Sequence, residues 1–512
     1  MERIYLTTPL YYVNAEPHLG HTYTTIIADT LKRYYQEQGI KVFLLTGTDE
    51  HGDKIAQAAK ENGMEPKAYA DRISAIFRAT WDRCGIAYDH FIRTTDSYHK
   101  EVVQRLLQKI YDAGDIYFSE YGGFYCFGCE RFYTEKELAG GKCPDHQREP
   151  TYIKEKNYFF RMGKYQQQLI DHIQSHPNFI RPERYRAEVL AFLREPLEDL
   201  CISRPKSRLQ WGIPLPFDSE YVTYVWFDAL VNYVSALEFH GTEFFRDFWP
   251  KANHLVAKDI LKPHGIFWPA MLMAAGLPLY ERLNVHGYWV MDSGKMSKSL
   301  GNVVRPLEMK ERYGMDAFRY FLLREMVFGQ DANFSLGAFV TRVNADLANN
   351  LGNLVSRVLA MQEKYFGGVV QPLGRVWAEE DMELRRTFLR AGEEVRRHMS
   401  ELYFHRALEA VWQAIDQSNR YIVQTAPFTL FKKPEKRARV GEVLHHLLEA
   451  IRAVGRLISP FLPETAGELQ ALLNISPAAS GQQSPWGEFF QPGHKVKPSK
   501  VLFPRIELAD ED

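Results

Sequence analysis

The sequence predicts an α/β fold in which a doubly wound parallel sheet is split by an insertion and followed by a helical bundle. Strand-like and helix-like stretches alternate over residues 1–115, stop at about residue 116 and resume after about residue 220. This alternation is typical of a parallel, Rossmann-type sheet with crossover helices. After about residue 345, apolar residues recur three and four positions apart, which predicts helices almost to the end of the chain.

The individual elements are predicted from local composition. The strands expected in chain order are Ile4–Thr8, Val42–Thr46, Tyr221–Trp226, His254–Val256, Asn284–Tyr288 and a last strand-like piece, Val501–Ile506. Helical spacing covers Thr22–Gln38 and Glu65–Cys84 between the first strands. Residues 117–160 are instead rich in Tyr, Phe, Gly and Cys, which indicates an inserted domain of short strands.

Bulk composition excludes several classes of protein. The chain has 512 residues, of which 45% are hydrophobic and 25% charged, as expected for a globular protein of several domains. Charged residues interrupt every apolar run well before the roughly 18 residues of a membrane span, and no targeting pattern precedes the first predicted strand. We therefore expect no membrane partner and a cytoplasmic location. With a net charge of −1, RNA would have to bind local basic patches.

A first candidate phosphate site is the turn His18-Leu19-Gly20-His21. It lies between a predicted strand and a predicted helix, at the carboxyl end of the strand, where open α/β sheets bind ligands. Both histidines can donate hydrogen bonds to triphosphate oxygens, Gly20 leaves room for a base against the backbone, and the helix N-terminus favours anions. Taken alone, the turn is a weak signal, because such a turn is more often a helix start that carries two surface histidines.

A second candidate is the segment Lys295-Met296-Ser297-Lys298-Ser299, which follows a polar turn. Two lysines three residues apart beside serines suit a loop that closes on phosphates and stabilises the charge that develops as pyrophosphate leaves. A single Lys/Ser-rich loop is usually only a solvated turn. The occurrence of both motifs, each next to a predicted strand of one split domain, favours an ATP-using enzyme that makes an acyl-adenylate.

The cysteines predict a metal site. Five cysteines make an odd number, and three of them lie within 18 residues, which argues against a disulfide framework. The spacing Cys126-x2-Cys129-x13-Cys143-x2-His146 is that of a Cys3His zinc site. Four protein ligands close a tetrahedral site, so we expect one structural Zn²⁺ rather than a catalytic one. No recognition helix lies between the ligand pairs, which disfavours a nucleic-acid finger.

These motifs resemble those of a known family. His18–His21 is similar to the HIGH signature of class I aminoacyl-tRNA synthetases, and Lys295–Ser299 matches their KMSKS signature letter for letter. The resemblance extends over nearly the whole chain and is closest to the methionyl-tRNA synthetases. The segments that carry it further are Thr8–Asn14, Thr46–Gly52, Tyr224–Ala229 and Lys258–Ile260.

The resemblance implies an active site for methionine and Mg·ATP. It places the methionine side chain against aromatic and aliphatic groups, which suits a polarisable thioether, and its ammonium group on Asp49. The implied methionine-binding residues are Leu10, Tyr12, Asp49, Val225, Trp226, Ala229, Leu230, Tyr233, Ile260 and His264. The implied ATP-binding residues are His18, Gly20, His21, Asp259, Lys295 and Lys298, of which the two histidines and two lysines are the expected catalytic groups. Ala257 stands where the family commonly has glycine.

The resemblance also implies tRNA(Met) as a partner. Asn349, Asn353 and Arg357 recur at i, i+4 and i+8, so they are expected on one helix face that reads anticodon bases. Many relatives place a tryptophan after a later Ala-Pro pair to stack on the first anticodon base, and here Phe428 stands at that position. The fourth metal ligand also departs from the family, because His146 stands where a cysteine is common.

The predicted domains combine these features, and the predicted state is a monomer. They are the first half of the Rossmann catalytic domain at 1–115, the connective insertion with its zinc knuckle at 116–220, the second half at 221–300, the signature loop and stem-contact region at 301–345, the helical anticodon-binding domain at 346–475 and a tail packing back at 476–512. Three alternatives stay open: another class I synthetase, a small-molecule nucleotidyltransferase and an inactive RNA-binding paralogue. The chain lacks room for an editing insertion, which disfavours another class I synthetase. The helical C-terminal part disfavours a small-molecule nucleotidyltransferase, and the intact Lys295–Ser299 segment disfavours an inactive paralogue.

Overall fold

The structure, a computed structural model, describes residues 2–126, 130–133, 135–144, 147–291, 304–476, 484–491 and 493–507. Two groups of predicted site residues lie outside this part of the chain: the Lys295–Ser299 segment, and the metal ligands Cys129 and His146. The chain divides into two compact units, one formed by Met1–Lys32 and Gly39–Gly287, the other by Arg33–Gln38 and Tyr288–Asp512. In the described part of the chain, no helix is long and apolar enough to cross a membrane.

The first unit is built on a seven-stranded sheet in which every pairing is parallel. Its strand order is Tyr11–Tyr12, Lys41–Asp49, Arg3–Thr7, Ala252–Ala257, Arg282–His286 and Ile180–Arg181, with His90–Arg93 also paired to Lys41–Asp49. All but the first residue of Lys41–Asp49 are buried, as expected for a parallel strand covered on both faces. The prediction of a doubly wound parallel sheet is confirmed.

Helices connect these strands and cover the sheet. In the first unit they are Leu19–Glu37 (which runs on into the second unit), Asp53–Glu61, Pro66–Arg83, Ser97–Asp112, Gln166–Ser175, Glu183–Phe192, Val225–Leu230, Asn232–Phe239, Thr242–Phe248 and Trp268–Ala274. Short 3-10 turns cover Glu135–Glu137, Met162–Tyr165, Trp249–Lys251 and Lys258–Ile260, and a π-helical turn covers Pro263–Phe267. The two predicted helices begin and end within three residues of Leu19–Glu37 and Pro66–Arg83.

One predicted strand is wrong. The strand near Tyr221–Trp226 covers Asp218–Thr223 instead, and it lies in a small antiparallel sheet with Ser203–Pro205 and Pro214–Leu215. The residues that follow form the helix Val225–Leu230, five of whose six residues are buried. A short aromatic and apolar run does not distinguish a strand from a buried helix, so local composition was ambiguous at this point.

The inserted region contributes strands to three sheets, one of which is the small antiparallel sheet described above. The strands Arg131–Tyr133, Ile116–Cys126, Thr151–Phe160 and Leu200–Cys201 form, in that order, an antiparallel sheet. Ile180–Arg181, from the same stretch of sequence, instead pairs in parallel with Arg282–His286 of the central sheet. The alternation of strands therefore breaks at residue 116 as predicted, but the chain returns to the central sheet well before residue 220.

The second unit is mainly helical, which confirms the prediction for the C-terminal part. Its helices are Pro306–Tyr313, Met315–Glu325, Leu336–Arg342, Asn353–Phe366, Glu379–Ser400, Phe404–Thr425, Pro427–Leu430, Arg437–Ile458 and Pro463–Leu472, with a 3-10 turn at Pro434–Lys436 and a π-helical segment at Val343–Gly352. Two short strands, Trp289–Met291 and Ala332–Phe334, pair in parallel.

The predicted strand Val501–Ile506 is also wrong. This segment forms no strand, although it is held in place by one side chain. The amide of Asn344 donates from Nδ2 to the carbonyl of Ile506 at 2.8 Å and accepts from its backbone N–H at 2.8 Å. A side-chain amide thus replaces the strand partner that the local sequence suggested.

Candidate active site

The predicted small-molecule site lies at the carboxyl ends of the central parallel strands. Tyr12 and Asp49 are directly paired across neighbouring strands, and Asp49 is the last residue of its strand. Ala257 ends another strand, and the 3-10 turn Lys258–Ile260 follows it at once. Because parallel strands end at the same edge of a sheet, residues far apart in sequence converge on one face, where open α/β sheets bind ligands.

The His18–His21 turn opens the first helix of this edge. The helix begins at Leu19, and the two imidazole rings stack with centroids 3.8 Å apart. The Nδ1 atom of His18 accepts the backbone N–H of Gly20 at 3.1 Å, and the Nδ1 atom of His21 accepts the backbone N–H of His18 at 3.4 Å. These contacts place the ring proton of each histidine on Nε2.

The electrostatics of this turn favour a neutral His21. Burial, and then the neighbouring His18, lower the pKa of His21 well below its ordinary value. A neutral imidazole still donates one hydrogen bond to an anion without carrying charge. A Cβ at Gly20 would lie 3.1 Å from Cε1 of His18, so a side chain there would press on the stacked rings. The predicted glycine therefore has a steric reason in the turn itself.

Asp49 is the buried carboxylate of the site. Its side chain is part of a residue only 4% exposed, and its Oδ1 has no hydrogen-bond partner among the described residues. Burial raises the pKa of Asp49 well above its ordinary value, and the carboxylates of Asp228 and Glu130 raise it further. A buried acceptor oxygen without a partner costs free energy, and a cationic ligand group would remove that cost.

Tyr233 and His264, both predicted to bind methionine, belong to one hydrogen-bonded chain. His264 lies in the π-helical turn Pro263–Phe267, where its Nδ1 is 2.9 Å from the carbonyl of Ile260. Since a carbonyl only accepts, Nδ1 carries the ring proton, and Nε2 accepts the hydroxyl of Tyr233 at 2.8 Å. Burial lowers the pKa of His264 to about 4, which keeps the imidazole neutral.

Of the apolar residues predicted for the methionine pocket, Leu230 belongs to a large buried core cluster of the first unit, and Leu10, Trp226 and Ile260 pack against it. Val225, Ala229 and Leu230 are buried on the helix Val225–Leu230, and the half-buried Trp226 shows its ring edge-on to His264, with centroids 6.1 Å apart. The half-buried side chains of Leu10 and Ile260 pack against the same core. Asp259, a predicted ATP-binding residue, lies in the 3-10 turn Lys258–Ile260 and is instead exposed.

The sequence reasoning missed a buried polar network beside these residues. Asp228 accepts from Nδ1 of His51 at 2.6 Å and from Nε2 of His99 at 2.8 Å. Burial raises the pKa of Asp228, but His51 and His99 outweigh it and hold the pKa below its ordinary value. His51 and Asp228 both stand in the segments that carried the family resemblance, so the signal was present although no role was assigned.

The described part of the predicted metal knuckle is compact. Cys126 ends a strand, Cys143 is fully buried, and both pack with Tyr133 in a small apolar cluster. Neither forms a disulfide. The other two predicted ligands, Cys129 and His146, lie outside the described residues. No group of three potential metal ligands occurs in the described residues.

Three of the four predicted RNA-reading residues are exposed in the second unit. Asn349 lies in the π-helical segment and Asn353 begins the following α-helix, yet both line one open groove. Ser356 and residues 501–503 line the same groove, whereas Arg357, which is half-buried, is not among its described lining residues. Phe428 is 48% exposed at the start of another short helix. A ligand can therefore contact these residues only at the protein surface.

Comparison with known proteins agrees with this arrangement. The family of class I tRNA synthetases for methionine matches residues 4–151 and 146–359, and the anticodon binding domain of methionyl tRNA ligase matches residues 371–512. The junction between the two matches falls within the helical unit.

Individual relatives match over the full length. The chain is 46% identical over 509 residues to the methionine–tRNA ligase of Caldanaerobacter subterraneus subsp. tengcongensis, which covers 99% of this chain and 79% of the relative. The enzyme of Clostridium acetobutylicum is 46% identical over 511 residues, with 99% and 79% covered. A solved structure of Mycobacterium tuberculosis methionyl-tRNA synthetase in complex with methionyl-adenylate superposes with a TM-score of 0.93 at 40% identity, covering 99% of this chain and 100% of that one. Identity at this level across the whole chain, with family matches to both parts, shows that the chain belongs to the methionyl-tRNA synthetases, the class I methionine–tRNA ligases.

Proposed function

We propose that this chain joins methionine to tRNA(Met) in two steps at the site described above. In the first step a carboxylate oxygen of methionine attacks the α-phosphorus of ATP and pyrophosphate leaves. In the second, a hydroxyl of the terminal tRNA adenosine, the 2′-OH by class I resemblance, attacks the adenylate and AMP leaves. The observation that carries the proposal is Oδ1 of Asp49, which has no hydrogen-bond partner among the described residues and lies at the edge of the sheet where the helix Leu19–Glu37 begins. A monomeric state and a cytoplasmic location stay predictions.

Methionine would be held at both ends. Its ammonium group pairs with Asp49, where a charge-assisted hydrogen bond satisfies the buried Oδ1. Its thioether lies against the edges of Trp226 and Tyr12, a favourable arrangement for a polarisable sulfur. The Tyr233–His264 pair closes the end of the pocket, and since the hydroxyl proton of Tyr233 is directed to His264, the phenolic oxygen presents lone pairs rather than a donor. Val225, Ala229, Leu230, Ile260 and Leu10 supply the apolar wall.

ATP, carried with Mg²⁺, would bind at the helix start. The Nε2 protons of His18 and His21, together with the positive end of the helix Leu19–Glu37, suit the triphosphate. Gly20 and Asp259 are the proposed contacts to the nucleoside. Lys295 and Lys298 would stabilise the charge that develops on the departing pyrophosphate. Catalysis in this arrangement is positioning and electrostatics, without a covalent enzyme intermediate.

Zinc would be held by Cys126, Cys129, Cys143 and His146. The residues fit such an ion, because two of the thiol ligands are buried in a small cluster and are not spent in a disulfide. The residue after each ligand pair also has the same unusual backbone: Glu130 and Gln147 both have φ of +53°. Matching left-handed residues after two ligand pairs suit two equivalent knuckle turns around one ion. Bound zinc would supply local folding free energy, not chemistry.

The anticodon of tRNA(Met) would bind the second unit. Unpaired bases are the part of RNA that side chains read most readily, by hydrogen bonds to base edges and by stacking. Asn349 and Asn353 offer amides in an open groove, and Arg357 lies one turn further along the same helix. The exposed ring of Phe428 offers a stacking face. The basic residues from 432 to 439 are close in sequence and suit the RNA backbone.

Amino-acid-dependent ATP–pyrophosphate exchange tests the proposed function most directly. Each of the twenty amino acids is offered in turn with Mg·ATP, and we expect methionine alone to support exchange at low concentration. Addition of tRNA(Met) should then give a methionyl ester that is formed at the 2′-OH and is absent with tRNAs of other anticodons. Exchange driven by another amino acid, or none with methionine, would overturn the proposal.

A further inference from the structure

Glu130 connects the metal knuckle to the methionine pocket. It follows Cys129 directly in sequence, yet it is only 3% exposed. One carboxylate oxygen accepts the hydroxyl of Tyr12, and the other accepts the backbone N–H of Lys54 at 2.9 Å. A single buried carboxylate therefore contacts both a pocket residue and the start of the helix Asp53–Glu61.

Gly52 permits this contact. Its φ is +105°, and a Cβ built there would lie 2.7 Å from Oε1 of Glu130 and 3.2 Å from the hydroxyl of Tyr12. Any other residue would therefore meet both a steric clash and an unfavourable backbone region. Gly52, three residues after the proposed ammonium site Asp49, thus leaves space in this turn for the carboxylate of Glu130.

The backbone of Glu130 is itself fixed. Its carbonyl accepts from Nη2 of Arg204 at 2.9 Å, and the guanidinium of Arg204 lies 5.1 Å from the ring centroid of Tyr125 and 5.0 Å from that of Tyr224. Arg204 is almost fully buried, and Tyr224 immediately precedes the helix that carries Trp226. Residue 130 is therefore a rigid junction between the knuckle, the turn at Gly52 and the pocket helix.

We propose that Glu130 is a positioning residue through which the metal knuckle sets the affinity for methionine. The proposal rests on the function proposed above, because it needs Tyr12 to contact methionine and Cys129 to bind the metal. Consecutive Cα atoms are about 3.8 Å apart, so a metal that holds Cys129 also limits the position of Glu130. The carboxylate passes this constraint to the ring of Tyr12, which Lys54 covers from 5.3 Å.

The first test separates methionine affinity from everything else. We expect Glu130→Ala to raise the Kd for methionine, measured by calorimetry without ATP, by about tenfold or more, while the KM for ATP changes less than twofold. Glu130→Gln keeps the size and one acceptor oxygen, so its effect should be intermediate. Glu135→Ala is the matched control, an exposed glutamate of the same insertion, and should leave the Kd unchanged. A Kd for Glu130→Ala within twofold of the parent, with zinc still bound, would overturn the proposal.

The second test asks whether Glu130 acts through Tyr12. Tyr12→Phe keeps the ring and removes the hydroxyl that Glu130 accepts. If the two residues act as a unit, the double variant Tyr12→Phe, Glu130→Gln should bind methionine no more weakly than the weaker single variant. Fully additive losses in the double-mutant cycle would show that Glu130 does not act by this contact.

The third test asks whether the metal acts through Glu130. Stripping zinc from the parent with a chelator should weaken methionine binding severalfold, and returning zinc should restore it. In Glu130→Ala the same treatment should change methionine binding less than twofold, while zinc content, followed by atomic absorption, falls equally in both. An equal loss in both proteins would overturn the proposal. A parent that binds and exchanges no methionine would instead refute the proposed function.

Discussion

The residues proposed to bind methionine and those proposed to read RNA differ in their exposure to solvent. In the pocket, Asp49 is 4% exposed and His264 is 1% exposed, and the atoms that would contact the ligand are fixed by other buried groups. On the helical unit, Asn349 and Asn353 are exposed, and Phe428 keeps 48% of its surface in water. Asp49 and His264 are buried, whereas Asn349, Asn353 and Phe428 lie at the protein surface.

The size of each ligand explains the difference. A single amino acid has few atoms, so its discrimination depends on complete enclosure and on polar groups that are unsatisfied without it. The cost is visible at Asp49, where burial and neighbouring carboxylates raise the pKa of a group that should bind a cation. An RNA loop makes many contacts with the protein, so exposed amide side chains and one aromatic ring are enough to recognise individual bases. Variants at the two sites should therefore separate in a two-assay comparison of exchange and tRNA charging.

The largest expected effect is at the catalytic end. Lys298→Ala should slow methionine-dependent ATP–pyrophosphate exchange by about 10²- to 10³-fold in kcat, because it removes a charge that stabilises the departing pyrophosphate. Lys432→Ala, a lysine of the helical unit, is the matched control and should leave exchange unchanged. An exchange rate for Lys298→Ala within about twofold of the parent would remove this lysine from the mechanism.

The next largest effect is at the ammonium site. Asp49→Asn keeps the shape of the side chain but removes its charge, so we expect methionine to bind about 10- to 100-fold more weakly. Isothermal titration with methionine and exchange without tRNA both measure this loss. Unchanged affinity would mean that the ammonium group binds elsewhere and would weaken the contrast between an enclosed and an open site.

The raised pKa of Asp49 predicts the pH dependence of methionine binding. Where the free carboxyl is partly protonated, the arriving ammonium favours the carboxylate and binding releases a proton, so affinity should rise with pH. Calorimetry in two buffers of different ionisation enthalpy, at about pH 6, should reveal this release. Asp49→Asn should abolish it, and a parent protein that releases no proton would contradict the raised pKa.

A smaller effect is expected on the helical unit. Asn353→Ala should raise the KM for tRNA(Met) in the charging assay by about tenfold, since one hydrogen-bonded base edge loses its partner. Exchange without tRNA should not change. Gln413→Ala, an exposed amide on the helix Phe404–Thr425, serves as the control. Loss of exchange in Asn353→Ala would show that the two sites are not as separate as their geometry indicates.

The smallest expected effect is a gain. Phe428→Trp restores the larger ring common in relatives and should lower the KM for tRNA(Met) about threefold, because a wider face stacks better on a base. Phe428→Leu should raise the KM by a similar factor at nearly equal hydrophobicity. Identical KM values for all three side chains would mean that no base stacks at this position.

Much of the fold was predictable because its signals are local. The central strands at residues 4–8, 254–256 and 284–288 lie within two residues of observed strands, since buried parallel strands appear as continuous apolar runs. Short motifs with a characteristic residue order mark the His18–His21 turn, Asp49 and the helix Val225–Leu230 in the sequence. Signals that compete locally were less informative, as at Tyr221–Trp226, where the same aromatic residues suit a strand or a buried helix.

The sequence by itself determined the chemistry of this protein: the residue types at the strand ends, the cysteine spacing and the helical character of the C-terminal part. Only the tertiary structure decided how those groups are held. It directs the Tyr233 hydroxyl to a neutral His264, leaves Oδ1 of Asp49 without a hydrogen-bond partner among the described residues, and brings Glu130 to Tyr12 across 118 residues of chain. The physical reason is that hydrogen-bond direction and burial depend on contacts between distant segments, which local composition does not encode.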